Sequence, residues 1–318
     1  MMRAAVLAGP GRVELADVEL PAPGPHQVRI RLEGCGVCGT NLPPFEGRPW
    51  FSYPFEPGAP GHEGWGVADA VGREVRDVRE GDRVSALSTR AYAEYDVADR
   101  RSVVKLRPEL QGRPFPGEAL GCAMNVFRRS EIRPGHRVAV VGMGFLGMVL
   151  VQLAKAAGAE VIAIGRRLFA LRMAAAAGAS RALPLGPRHE VVERMQELTS
   201  GELCDVAIEC AGAQEPLDLA GELLRNRGRL VIAGYHQDSP RAVDLALWNW
   251  RGLDVINAHE RDARVCAEGV QMAMEAVAAG RLDPSALYTH SFPLDGLPQA
   301  FAALRDRPDG FLKALVRP

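Results

Sequence analysis

The sequence predicts an α/β protein in which a doubly wound parallel sheet interrupts a loop-rich β domain. Three observations predict it. From Gly117 to about Ala258, short apolar runs alternate with helical patterns, which calls for a parallel sheet covered by helices on both faces. Within that stretch, Gly142, Gly144 and Gly147 stand between a strand and a helix. Residues 1–118, in contrast, are short strands joined by Gly and Pro turns.

In order, strands are expected at residues 4–7, 13–15, 28–32, 66–71 and 83–86. Over residues 27–33 Val28, Ile30 and Leu32 alternate with polar residues, the pattern of a half-buried strand. Residues 138–141 are the β-branched run that a strand buried on both faces requires. Leu146, Val149, Leu150, Leu153, Ala154 and Ala157 then recur at helical spacing, and Gly158 is the helix stop. Further parallel strands fall at 161–164, 206–208, 230–233 and 255–256. The tail predicts a helix over 265–279, a strand over 288–292, a helix over 297–304 and a strand over 312–316. These late β segments suggest a return to the first domain, giving a β domain of 1–118 completed by 259–318 around a dinucleotide-binding domain of 119–258.

The glycine motif has a mechanical reading. Gly142 permits a tight turn, Gly144 lets a pyrophosphate approach the backbone, and Gly147 lets the helix pack closely on its strand. A phosphate beside Phe145 and Leu146 would meet free N–H groups and the positive end of the helix dipole. After the second strand comes Ile164-Gly-Arg-Arg167, with no carboxylate for a ribose diol. Arg166 and Arg167 could clamp a 2′-phosphate, which favours NADP(H) over NAD(H). Ala211-Gly212 and Gly234-Tyr235, at later strand ends, are where cofactor and substrate should meet.

Composition excludes several classes. A net charge of −1 gives no reason to expect nucleic-acid or membrane-surface binding. No run approaches the ~18 apolar residues of a membrane span, and residues 1–7 are too short for a signal-peptide core, so a cytoplasmic location is expected. Six scattered cysteines point to metal, catalysis or burial rather than a disulfide framework, with Cys204, Cys210 and Cys266 expected as small core residues.

The chemically loaded stretches are Gly34-Cys-Gly-Val-Cys-Gly-Thr-Asn41 and Gly61-His-Glu-Gly-Trp-Gly66. Thiolate, imidazole and carboxylate suit zinc, and a catalytic site needs three protein ligands with one position open. Cys35 and Cys38 could instead be a redox pair, but nothing thioredoxin-like surrounds them.

With Gly81-Asp-Arg-Val84 and the nucleotide-binding turn following in order, the chain resembles the zinc-dependent alcohol and polyol dehydrogenases of the medium-chain dehydrogenase/reductase superfamily. The resemblance implies a GroES-like β domain interrupted by a Rossmann domain. It implies that Cys38 and His62 bind one catalytic zinc, with Glu63 beside it as a ligand or an exchanging one. The third protein ligand is Glu118 or Cys122, one helical turn apart, with Glu118 favoured. Thr40 matches the hydroxyl that relays the alcohol's proton. Asn41 stands where the family usually has an aspartate orienting the zinc histidine, and Pro43 where many members have an outer relay histidine, leaving water or ribose hydroxyls as the route. Residues 85–92 contain no cysteine, so no structural zinc is expected.

The expected substrate is a secondary alcohol, polyol, cyclitol or sugar, or its carbonyl. Trp50, Phe51, Tyr53, Tyr92, Tyr235, His236, Gln237, Asn257 and His259 are candidates at the pocket mouth. Trp248-Asn-Trp250 and residues 253–256 fall where the family pairs edge strands across a dimer axis, which implies a homodimer. Two other readings remain: a zinc-free NADPH-dependent enone or quinone reductase of the same superfamily, and a non-catalytic NADP(H)-binding protein.

Overall fold

The computed structural model describes residues 1–318 and divides into two units. The first comprises residues 1–122, 261–280 and 284–318; the second comprises 123–260 and 281–283.

The first unit opens with the antiparallel pair β1 (Met2–Gly9) and β2 (Arg12–Val18). It continues through β3 (Gln27–Gly36), the one-turn helix α1 (Leu42–Phe45), β4 (Glu63–Val71), β5 (Arg83–Ala86), β6 (Tyr95–Asp99) and β7 (Val103–Lys105). Helix α2 (Gly117–Ser130) starts in this unit and ends in the second. Val28, Ile30 and Leu32 of β3 are buried, as their alternation requires. β6, whose buried positions are Asp96 and Ala98, and β7, only three residues long, do not show in the sequence; β6 is placed by its antiparallel ladder with β3.

The second unit alternates strand and helix: β8 (Arg137–Val141), α3 (Phe145–Ala156), β9 (Glu160–Gly165), α4 (Leu168–Ala176), β10 (Arg181–Pro184), α5 (Arg188–Leu198), β11 (Cys204–Glu209), α6 (Gln214–Glu222), β12 (Leu224–Ile232), α7 (Leu245–Arg251) and β13 (Asp254–Asn257). All pairings are parallel, in the order β10-β9-β8-β11-β12-β13. The order reverses beside β8, so the crevice between the carboxyl ends of β8 and β11 is the switch point where such sheets bind ligands. Val138, Val140, Ile162, Ile164, Ile208 and Leu230 fill the sheet interior.

The chain then returns to the first unit with α8 (Ala263–Ala278), β14 (His290–Pro293), α9 (Leu297–Asp306) and β15 (Ala314–Arg317). β15 joins the seven-stranded sheet, whose main path runs β14-β15-β3-β4-β5-β7 with β6 on β3. Its register sets Leu315 opposite Gly36 and Val316 opposite Cys35, while β4 sets Glu63 opposite Gly36 and Gly64 opposite Cys35. Three distant segments thereby meet at the end of β3.

Two expectations are corrected. Trp248-Asn-Trp250 is not an edge strand; it lies in α7, capped by Asp244, whose carboxylate accepts the Leu247 N–H at 2.9 Å, and closed by Gly252 at φ +60°. The edge strand is β13, beginning at Asp254. Of the three cysteines expected in the core, only Cys204 is buried; Cys210, in the turn beyond β11, and Cys266, on α8, are partly exposed. No helix is long and apolar enough to cross a membrane.

Candidate metal and dinucleotide sites

In the first unit, Cys38 follows β3, His62 immediately precedes β4 and Glu63 begins it. One ligand atom from each lies within 4.8 Å of the others. The Pro60 carbonyl accepts the Nδ1–H of His62 at 2.9 Å, which leaves Nε2 as the ring nitrogen a metal could take. Thr40 Oγ1 lies 3.4 Å from that Nε2.

Asn41 links the two motifs. It is buried, and its Oδ1 accepts the Cys38 N–H at 3.1 Å and the Tyr92 hydroxyl at 2.7 Å. Its Nδ2 donates to the Pro60 carbonyl at 3.1 Å, the same oxygen that holds His62. An amide is required because one end must donate and the other accept, which no carboxylate does. Tyr92, expected at the pocket mouth, is instead fully buried with its ring edge-on to Phe301. Tyr53 is anchored by its hydroxyl, which donates to the Pro44 carbonyl.

Glu63 is completely buried, and Lys313 Nζ, also buried, donates to its Oε1 at 2.6 Å and lies 2.6 Å from its Oε2, which accepts no hydrogen bond. Burial disfavours the ammonium, but the charges of Glu63, Cys38 and Glu118 outweigh it and hold the Lys313 pKa above its usual value. Direct ligation by Glu63 must therefore share or break an ion pair. Lys313 was not read from the sequence: it sits alone in the tail, and only the pairing of β15 with β3 carries it to Glu63. A Cβ on Gly36 would fall 1.8 Å from Glu63 Oε2 and 3.1 Å from Lys313 Cε, so the glycine makes room for this pair.

Glu118 lies in the first turn of α2, whose start is tied down by the Gly117 N–H donating to Ser85 Oγ at 3.1 Å and by that hydroxyl donating to the Gly64 carbonyl at 3.2 Å. Burial raises the Glu118 pKa, Glu63 adds to the rise, and His62 and Lys313 oppose it. Cys122 is on the same helix and exposed. For His62, burial pulls the pKa down, but its hydrogen bond with Cys38 and the charges of Cys38, Glu118 and Glu63 prevail and raise it to about 10. A divalent cation drawn to the same negative pocket would compete with the His62 proton. Sulfur, imidazole and carboxylate converging on one point fit zinc.

In the second unit, Gly142 takes φ +112° directly after β8, and a Cβ on Gly147 would lie 2.1 Å from the Gly142 carbonyl oxygen. A Cβ on Gly144 would meet nothing within 4 Å, and no side chain caps α3 there. Open space in front of a helix start that has no side-chain cap fits a pyrophosphate. Phe145 and Leu146 form the first turn of α3 and are half-buried. Arg166 is exposed after β9, and Arg167 is the N-cap residue of α4. Gly212 and Gly234 end up in backbone contact, a Gly234 Cβ falling 2.3 Å from Gly212 N. Tyr235, Gln237, Asn257 and His259 are exposed, and Trp50 is 54% exposed. Glu209 and Arg241, which tie the turns at Gly212 and Gly234 to His236, carry no local motif and were missed.

Two family profiles match: an alcohol dehydrogenase GroES-like domain over residues 24–144 and a zinc-binding dehydrogenase domain over residues 146–279. The chain is similar to an alcohol dehydrogenase of Rhizobium meliloti, 32% identical over 267 residues and covering 73% of this chain and 77% of that one. It is 28% identical to human sorbitol dehydrogenase over 335 residues, 94% and 92% of the two chains. Among solved structures, a zinc-binding dehydrogenase from Sinorhizobium meliloti bound to NADP aligns with a TM-score of 0.86 at 27% identity, covering 100% of this chain and 99% of that chain.

Proposed function

The chain belongs to the zinc-type alcohol and polyol dehydrogenases of the medium-chain dehydrogenase/reductase superfamily, and on that premise we propose that it transfers hydride between NADP(H), in preference to NAD(H), and a secondary alcohol, polyol, cyclitol or sugar. The observation that carries the reading is the convergence of Cys38, His62 and Glu63 within 4.8 Å, with His62 already turned by the Pro60 carbonyl. Cys38 and His62 hold the zinc, and Glu118, favoured over Cys122, completes the set. Glu63 exchanges only at the expense of its pairing with Lys313.

When bound, zinc would supply Lewis acidity and the nicotinamide would supply the hydride chemistry. Thr40, 3.4 Å from His62 Nε2, takes the alcohol's proton. Pro43 has no titratable group to receive it next, so water or ribose hydroxyls would carry it on. Arg166 and Arg167 hold the 2′-phosphate. A homodimer is part of the same proposal, with β13, partnered on one side only, as the pairing edge.

The test is elemental analysis of the purified protein with NADPH and NADH titrations on the same sample. About one zinc per chain is expected, with NADPH binding more tightly. Chelation should abolish alcohol turnover and leave NADPH bound. Full activity in metal-free protein would move the reading to the zinc-free reductase, and nucleotide binding without turnover of any alcohol to the non-catalytic binder.

A further inference from the structure

At the carboxyl ends of β8, β11 and β12 three turns touch backbone to backbone. A Cβ on Gly142 would lie 3.0 Å from Ala211 N, one on Gly212 2.6 Å from the Tyr235 oxygen, and one on Gly234 2.3 Å from Gly212 N. Glycines that allow such contact do not hold it in place.

Glu209, the last residue of β11, supplies the hold. It is fully buried, and its Oε1 accepts the N–H groups of Ala211 at 2.6 Å and Gly212 at 2.7 Å. Its Oε2 meets His236 Nε2 at 2.8 Å. The other ring nitrogen, Nδ1, accepts the Arg241 Nε–H at 3.0 Å. Arg241 then closes the ring, donating to the Gly212 carbonyl at 3.0 Å, with Asp238 Oδ1 at 2.5 Å and Ser239 Oγ at 2.6 Å holding its guanidinium. Because arginine can only donate, Nδ1 of His236 must accept, and its proton sits on Nε2, facing the carboxylate. Every donor and acceptor in the circuit has one permitted role.

We propose that Glu209, locked through His236 and Arg241, is the positioning residue that sets this chain's affinity for its nicotinamide cofactor. The proposal rests on the dehydrogenase reading above and extends it to residues that touch no motif. The circuit consumes the N–H groups of Ala211 and Gly212 and the Gly212 carbonyl, so the turn beside Gly142 is ordered before the nucleotide arrives. Binding then incurs no ordering cost there.

Glu209→Gln keeps the shape and breaks the logic. Its amide would face the His236 Nε2–H; shifting that proton to Nδ1 would set it against the Arg241 N–H, so one donor always faces another. The expected result is a rise of about tenfold in the NADPH dissociation constant, a factor that corresponds to one broken polar contact. Zinc content, the KM for the alcohol and kcat at saturating cofactor should hold. Arg241→Met removes the second donor, so the double variant E209Q/R241M should bind more tightly than the product of the single effects allows. His236→Leu should weaken binding as E209Q does, and His236→Gln, which offers one donor and one acceptor, should recover part of the loss; this pair decides the matter if E209Q does not fold. NADPH constants within twofold of wild type for both E209Q and H236L overturn the inference alone. A wild-type chain that binds neither NADPH nor NADH overturns the dehydrogenase reading, and this inference with it.

Discussion

The two candidate sites are built from different materials. In the second unit the candidate nucleotide site is mostly backbone: a strand end, glycines with no Cβ, and the start of α3. In the first unit the metal site is side chains from segments scattered from Cys38 to Lys313, each held by another. A backbone site survives any substitution that leaves its turns alone, whereas a side-chain site fails when one distant partner is lost.

Lys313→Met should show the difference most strongly. It strands a completely buried carboxylate, and breaking a buried pair costs about 3–5 kcal/mol. Urea unfolding should show that loss together with reduced zinc retention, while NADPH affinity stays within twofold. E63Q/K313M should regain much of the stability, and equal loss in the single and double variants would break the comparison.

Gly147→Ala is the converse. The new methyl meets the Gly142 carbonyl oxygen at 2.1 Å and forces the turn to shift, at about 1–3 kcal/mol. NADPH affinity should fall correspondingly and zinc content should not change, as titration and elemental analysis would report.

Asn41→Asp sharpens the view of the metal site. A carboxylate oxygen would replace the Nδ2 donor 3.1 Å from the Pro60 carbonyl, removing support from His62. A fall of about tenfold in zinc affinity is expected in competition with a chelator. Tighter binding would show that His62 turns from Pro60 to the new carboxylate.

The smallest effect tests the far end of the second unit. Burial pushes the Asp205 pKa up, but the Arg137 N–H at 2.7 Å and Arg225 Nε at 2.8 Å overcome this and leave it lowered. A lowered carboxylate pKa stabilises the fold above the unfolded value of about 3.9, and that contribution is lost as pH falls through the folded value. Asp205→Asn should therefore cost about 1 kcal/mol near neutral pH, allowing for solvent screening. The gap to wild type should close below about pH 4, and thermal melts across pH would show whether it does.

The same contrast explains what could be read in advance. Gly142, Gly144 and Gly147 lie in one turn, so spacing and function coincide, and a parallel sheet imposes apolar runs that announce its strands. Cys38, His62 and Glu63 stand out as a candidate metal set because donor types suited to a metal cluster in two short glycine-flanked stretches, whereas Thr40 enters only through the family resemblance. Tyr92 is expected at the pocket mouth because nothing local distinguishes a buried phenol from an exposed one, and Trp248 is grouped with the edge-strand region although Asp244 and Gly252 bracket a helix.

By itself, then, the sequence determined the parallel sheet, the glycine turn that fits a pyrophosphate and the donor types that suit a metal, all of which depend on neighbours within a few residues. Tertiary structure alone decided that Lys313 neutralises Glu63, that Asn41 and Pro60 orient His62, and that Glu209 closes a circuit with His236 and Arg241. These are pairings between buried polar groups far apart in the chain. Burial demands a partner for each group, and only the sheet register and the loops decide which.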